Sequence, residues 1–176
     1  DMLSQAEHGK DSQSIVFTTS QALAQALVAE IEAQVAVAPR KDFIKCSLEH
    51  SKIFILDNMD DVVAMSNEYA PEHLIINHAE ADALAQKVEN AGSVFLGAYS
   101  PESAGDYASG TNHTLPTSGW AHSCSGVNIE SFMRKMTIQE LSKEGIQSLA
   151  PTIVAMAEAE GLQAHANAVK VRINKL

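Results

Sequence analysis

The stretch LIINHAEADALAQKVENAGSVFL, residues 74–96, decides the fold of this 176-residue chain. It begins and ends with short runs of branched and aromatic residues, Leu74–Ile76 and Val94–Leu96, which are typical of buried strands. Between them Leu84 and Val88 are four residues apart, as on the inward face of a helix. The stretch therefore predicts a strand, a crossover helix and a second strand parallel to the first.

The same alternation extends toward the start of the chain. Two more apolar runs, Ile15–Phe17 and Ile53–Leu56, are separated by a helical pattern with a cap signal at Ser20 and a stop at Pro39. A further helix is predicted after Asn58, with acidic residues in its first turn, where the helix dipole favours them. We expect an α/β fold with a doubly wound parallel sheet of about four strands.

The remainder of the chain, from about Asn128, has only helical periodicity. One apolar stripe runs from Leu149 to Ala157, Gly161 is placed to end that helix, and a second stripe follows. Two helices cannot bury such stripes alone, so we expect them to lie on this core or on that of a partner. The predicted organisation is an α/β domain over residues 1–127 and a helical tail over 128–176.

Composition excludes several classes of function. The net charge is −10 and no cluster of Lys and Arg occurs, which argues against nucleic-acid binding. No apolar stretch approaches the roughly 18 to 20 residues of a membrane helix, and no signal segment is recognisable, so a cytoplasmic location is predicted. Cys46 and Cys124 lack a partner motif and are expected to be reduced. Because the first residue is Asp1, we expect the chain to be part of something longer.

Between Gly97 and Gly126 the periodicity disappears and Gly, Ser, Pro, Thr and His accumulate. Loops beyond the carboxyl ends of parallel strands are where such sheets bind ligands. Asp106 lies in this loop between Gly105 and Tyr107. The glycine lets backbone and ligand approach closely. From the residues alone, Asp106 is either a site carboxylate or an Asx-type turn residue.

Other polar residues stand at suggestive positions but are individually weak signals. Gln5 and His8 are three apart, as on one side of a helical turn, and the pair Glu72-His73 follows Pro71 at the entry to a strand. Such residues are also common as ordinary surface groups.

Four segments of the chain closely resemble segments of histidinol dehydrogenase, and they occur in the same order and with the same spacing. This zinc- and NAD-dependent family completes histidine biosynthesis. The segments are Ser4–His8, Asn67–Leu74, Ser100–Thr117 and Ala157–His165. The resemblance runs from Met2 to near Arg172 and corresponds to the C-terminal portion of a family member. It implies an incomplete Rossmann-like fold and the four-electron oxidation of L-histidinol to L-histidine through histidinaldehyde.

The resemblance also implies the metal site. One zinc ion would be held by Gln5, His8 and Asp106, with His165 delivered by the neighbouring subunit of a homodimer whose tails are exchanged. A mixed set of oxygen and nitrogen donors would also suit Mn²⁺ or Co²⁺.

By the same resemblance Glu72 and His73 are the catalytic bases. A histidine with a pKa near 6.5 suits removal of the alcohol proton at neutral pH, and a carboxylate suits activation of the water that attacks the aldehyde. His113 and Glu160 match positions that contact substrate. The full set implied to bind histidinol is Gln5, His8, His73, Asp106, His113, Glu160 and His165.

The resemblance implies that the N-terminal half of a family member, which contacts the nicotinamide, is missing from this chain, and no G-x-G-x-x-G motif follows any predicted strand. No NAD-binding residue is therefore assigned, and the chain alone is expected to be inactive without its N-terminal half. Two alternatives stay open at this point. One is a severed, non-catalytic module for metal binding or dimerisation, and the other is a flavodoxin-like binder of small molecules.

Overall fold

The computed structural model describes residues 1–175, and Leu176, the last residue of the predicted tail, lies outside the described residues. The chain divides into two compact units, Asp1–Phe132 and Met133–Leu176, whereas the sequence prediction places the boundary after residue 127. The first unit contains α1 (Met2–Ala6), β1 (Ile15–Thr18), α2 (Gln21–Val37), α3 (Lys41–His50), β2 (Lys52–Ile55), α4 (Met59–Tyr69), β3 (His73–Ile76), α5 (Ala81–Ala85), β4 (Ser93–Leu96), α6 (Glu102–Tyr107) and two 3-10 turns, Trp120–His122 and Ile129–Phe132.

The four predicted strands form, and both pairings are parallel. β1 pairs with β2, with Ile15 opposite Lys52, and β3 pairs with β4, with His73 opposite Ser93. In the described residues they make two two-stranded sheets rather than the single predicted sheet. A cleft of about 1280 Å³ is lined by every residue of both β1 and β3. The structure is thus a mixed α/β fold with small parallel sheets.

Side-chain caps explain where the predicted helices begin. Ser20 Oγ accepts a hydrogen bond from the Leu23 amide at 3.2 Å, and Asn58 Oδ1 accepts one from the Asp61 amide at 2.9 Å. α5 is shorter than predicted, and the helices α1 and α3 were not predicted as full elements.

A small core joins α1, α2 and α3. It is built on the buried side chains of Ala6, Val35 and Ile44. Because Ala6 is fully buried, this core fixes the end of α1 and so the chain that leads directly into His8.

The second unit is a pair of helices, α7 (Lys143–Ala159) and α8 (Gln163–Ile173). Gly161 has a φ of +75°, the left-handed conformation predicted for the residue that ends the first helix. The buried side chains are small, namely Ala150, Ala157 and Ala166, while Leu149 and Met156 of the predicted apolar stripe are exposed. Residues 133–142 form no helix, so the helical part of the tail begins later than predicted. Among residues 1–175, no helix has the length and apolar character needed to span a bilayer.

Candidate active site

The turn between α4 and β3 presents the pair Glu72-His73. α4 ends at Tyr69, and Ala70, which is buried, takes the left-handed conformation with a φ of 50°. Pro71 follows, and His73 is the first residue of β3, as the proline predicts. The acid and the imidazole therefore lie at the amino end of a strand.

This turn is fastened to the segment that leads into β4. The amides of Gly92 and Ser93 donate to the carbonyls of Pro71 and Glu72, at 2.8 and 2.9 Å. A Cβ atom at position 92 would lie 2.5 Å from the carbonyl oxygen of Glu72, so only glycine allows this approach. The backbone that leads into His73 is therefore held against the segment that leads into β4.

α6 supplies the carboxylates. Its residues Glu102 and Asp106 are four apart, which places both on one face of the helix. Gly105 lets α6 lie close against β4, because a Cβ atom there would be 2.5 Å from Cε1 of Phe95. Thr111 Oγ1 donates to the carbonyl of Gly105 at 3.1 Å and fixes the end of the helix.

The His73 ring lies between the two carboxylates of α6. Its Nδ1 is 3.6 Å from Glu102 Oε1, and its Nε2 is 3.7 Å from Asp106 Oδ1. The side chains are 12%, 5% and 15% exposed for His73, Glu102 and Asp106, and the Phe95 ring centroid lies 6.0 Å from that of His73. Residues far apart in sequence thus share one half-closed polar pocket.

His8 completes a group that could hold a metal ion. His8, Glu102 and Asp106 each offer a nitrogen or oxygen atom, and these atoms all lie within 4.8 Å of one another. One imidazole and two carboxylates are donors that zinc and related divalent metals accept. Gln5 lies on α1 just before His8 and lines the same cleft as Glu72, His73 and Glu102.

The ionisable groups of this pocket influence one another. Burial raises the pKa of the Glu102 carboxyl, His73 and His8 lower it, and Asp106 and Glu72 raise it further. Two buried atoms, Glu102 Oε1 and His73 Nε2, have no hydrogen-bond partner. Buried polar atoms are rarely left this way, so the residues fit a site that binds a cation or a polar ligand.

Three further predicted site residues are exposed. His113 is an exposed residue of the loop after α6. Glu160 and His165 belong to the second unit, at the end of α7 and in α8, and both are exposed.

Glu102 is the one residue of the cluster that sequence reasoning missed. Its signal was a spacing of four before Asp106, directly after Pro101, which is the pattern of a first-turn acid in a short helix. Histidines left outside the prediction have local roles, since His78 Nδ1 accepts from the Glu80 amide at 3.0 Å and His122 Nε2 lies 3.1 Å from the carbonyl of Glu68.

The fold and the site together define an α/β protein with a candidate site for a divalent cation beside an acid–base pair. The family model of histidinol dehydrogenase matches residues 1–173, and the chain belongs to that family.

The sequence similarity to known histidinol dehydrogenases extends over the whole chain. The chain is 51% identical over 176 residues to a histidinol dehydrogenase of Bacteroides thetaiotaomicron and 52% identical to one of Haemophilus influenzae. The crystal structure of histidinol dehydrogenase from Elizabethkingia anophelis matches 99% of the chain with a TM-score of 0.92 at 49% identity. The chain spans only 41% of the length of these two relatives and 40% of the crystallised protein.

Proposed function

We propose that this chain is the C-terminal portion of a histidinol dehydrogenase and takes part in the oxidation of L-histidinol to L-histidine through histidinaldehyde. The observation that carries this proposal is the meeting of His8, His73 and Asp106, which come from three remote segments, in one partly buried cluster. Each had been assigned to the site from the family resemblance alone. Membership of the family supports the same reaction, and so does the similarity of the whole chain to 41% of the length of two histidinol dehydrogenases.

In this proposal Gln5, His8 and Asp106 hold one zinc ion, together with His165 of the partner subunit. Zinc would supply a positive charge that fixes the nitrogen atoms of histidinol and orients the carbinol carbon. Two of these proposed ligands, His8 and Asp106, belong to the cluster of donor atoms within 4.8 Å of one another, which supports their part of the assignment. Glu160 and His113 are proposed to contact the substrate.

A different protein base serves each of the two oxidations. His73 takes the proton of the alcohol while the carbinol carbon gives its hydride to NAD, which leaves the aldehyde. Glu72 then takes a proton from the water that adds to the aldehyde, and the hydrated aldehyde gives a second hydride to a second NAD. Contacts with NAD are assigned to no residue of this chain and are expected from the N-terminal half.

The tail is proposed to be exchanged in a cytoplasmic homodimer. The exposed Leu149 and Met156 support this arrangement, because an apolar stripe of this kind requires a partner surface. The same exchange would bring His165 and Glu160 to the site of the other subunit.

The experiment uses the full-length enzyme and its Glu72→Gln variant. We expect the wild type to reduce two NAD molecules for each histidinol, and purified residues 1–176 to reduce none. In stopped-flow traces Glu72→Gln should slow aldehyde oxidation about 100-fold or more and slow alcohol oxidation much less, because Glu72 acts only on the water. Equal slowing of both steps rejects the division between the bases, and turnover by residues 1–176 alone rejects the need for the missing half.

A further inference from the structure

Glu102 is a buried acid that the proposed reaction leaves without a role. It is 4% exposed, lies in the first turn of α6, and its Oε1 has no hydrogen-bond partner. Burying a carboxylate without full hydrogen bonding is costly, and exposed acids in the first turn of a helix are common and free of that cost. A specific contact should account for its position.

The contact is with one particular nitrogen of His73. Glu102 Oε1 is 3.6 Å from Nδ1, whereas Asp106 Oδ1 is 3.7 Å from Nε2. The two ring nitrogens therefore have different neighbours on the same helix. A neutral imidazole has one N–H donor and one acceptor nitrogen. Because Asp106 is a proposed metal ligand whose carboxylate the cation would engage, the Glu102 carboxylate is the one left to accept from the ring.

We propose that Glu102 is a positioning residue for His73. In the working enzyme its carboxylate accepts from Nδ1–H after a small approach from the 3.6 Å separation, so that the lone pair of Nε2 faces the substrate. The Phe95 ring, with its centroid 6.0 Å from that of His73, limits the tilt of the imidazole on another side.

The inference rests on the proposed function, in which His73 removes the alcohol proton. In that step the O–H bond breaks and its proton goes to Nε2, while the C–H electron pair leaves as hydride to NAD. Glu102 exchanges no atom and keeps the ring in the productive orientation. This is the role that a carboxylate behind a catalytic histidine has in other enzymes.

Metal binding is the competing role for Glu102, because it is also within 4.8 Å of the donor atoms of His8 and Asp106. Positioning is favoured by the pairing across the ring. Asp106 occupies the Nε2 side together with the cation group, and Glu102 occupies the Nδ1 side.

The test uses the full-length enzyme with Glu102→Ala and Glu102→Gln, each made with and without His73→Ala. Glu144→Ala is the matched control, since Glu144 is also a first-turn acid but is exposed on α7. We expect Glu102→Ala to lower kcat about 10- to 100-fold with KM and zinc content unchanged. Glu102→Gln should lose less than about 5-fold, because its amide oxygen can still accept from Nδ1.

The double variant separates positioning from a general structural effect. If Glu102 acts through His73, Glu102→Ala should cost less than about 2-fold once His73 is alanine. An undiminished loss in that background overturns the proposal, and so does loss of zinc from Glu102→Ala, which would make Glu102 a metal ligand.

A measurement independent of turnover uses ¹⁵N-histidine NMR of the same proteins. The His73 signals, identified by their absence from His73→Ala, should show the ring hydrogen on Nδ1 in the wild type and a larger share on Nε2 in Glu102→Ala. A hydrogen on Nε2 in the wild type contradicts the proposal. If the wild type fails to oxidise histidinol, the proposed function fails and the NMR result alone decides the role of Glu102.

Discussion

The helices α6 and α8 both carry residues predicted to bind metal, but in opposite surroundings. Asp106 on α6 shares its pocket with buried atoms that have lost water without gaining a hydrogen-bond partner. His165 on α8 is exposed and keeps its water. A site residue on α6 is therefore recognisable within one chain, whereas one on α8 becomes a site residue only when another surface covers it.

The largest effect expected from this contrast is the loss of zinc binding on changing Asp106 of α6. Asp106→Ala in the full-length enzyme should weaken zinc binding by at least about 100-fold, because it removes the only carboxylate among the proposed ligands. Metal content after dialysis, measured by elemental analysis, reports it. His50→Ala, which changes an exposed histidine at the end of α3, is the control and should keep its zinc. Zinc retained by Asp106→Ala would remove Asp106 from the metal site.

The α8 side is tested by His165→Ala. We expect zinc content to fall about 10- to 100-fold while the protein remains dimeric, because His165 would act as one neutral ligand from the partner and contributes little to packing. Elemental analysis and light scattering on the same sample measure both quantities. Wild-type zinc content in this variant would show that α8 takes no part in the site.

The packing around one glycine in each unit gives a third contrast, with a smaller expected effect. Gly105→Ala should lower the free energy of unfolding of the full-length enzyme by about 1–3 kcal/mol, since the new Cβ would lie 2.5 Å from Phe95 Cε1. Gly145→Ala in α7 is the matched change, because its Cβ would meet nothing closer than Ser142 Oγ at 3.3 Å. Alanine favours a helix over glycine by up to about 1 kcal/mol, so this variant should be neutral or more stable. Similar losses in urea titrations of both variants would contradict the packing of α6 on β4.

These contrasts also show what the sequence could predict. The apolar runs around Phe17, Phe54, Ile75 and Phe95 predicted four strands, because branched and aromatic residues favour extended backbone. The predicted burial was wrong for β2, where Phe54 and Ile55 are exposed. Their division into two sheets was not predictable, since it depends on which strands meet across the cleft, and no local pattern records that.

Glu102 shows the corresponding limit for the site. Its neighbours in sequence are those of an ordinary first-turn acid, and only the return of α6 over Phe95 buries it beside His73. His73 and Asp106 were predicted from a family resemblance, and their local context alone fits a strand border and a turn. Only their proximity in the folded chain distinguishes site residues from ordinary strand-border and turn residues, and sequence spacing does not encode that proximity.

The smallest effect concerns Tyr69, at the end of α4. Its hydroxyl donates to Gln13 Oε1 at 2.7 Å, and burial raises the pKa of the phenol above its ordinary value of 10.0. A group whose pKa is raised by folding stabilises the fold below its unfolded pKa and loses that contribution as pH rises through the folded value. Tyr69→Phe should cost about 0.5–1.5 kcal/mol at neutral pH. The difference in free energy of unfolding between Tyr69→Phe and wild type should then narrow as the pH rises above about 10. A constant difference in urea titrations from neutral pH to above about pH 10 would show that the half-exposed phenol contributes no pH dependence.

The meeting of remote segments around one cation is tested most directly by anomalous diffraction at the zinc edge from crystals of the full-length, zinc-loaded enzyme. One peak is predicted per site, about 2.0–2.2 Å from a ring nitrogen of His8 and a carboxylate oxygen of Asp106. Gln5 and His165 of the partner subunit should complete the coordination, with His73 beside the metal. A peak bound by other residues, or His8 and Asp106 lying in separate regions of the enzyme, would contradict the account.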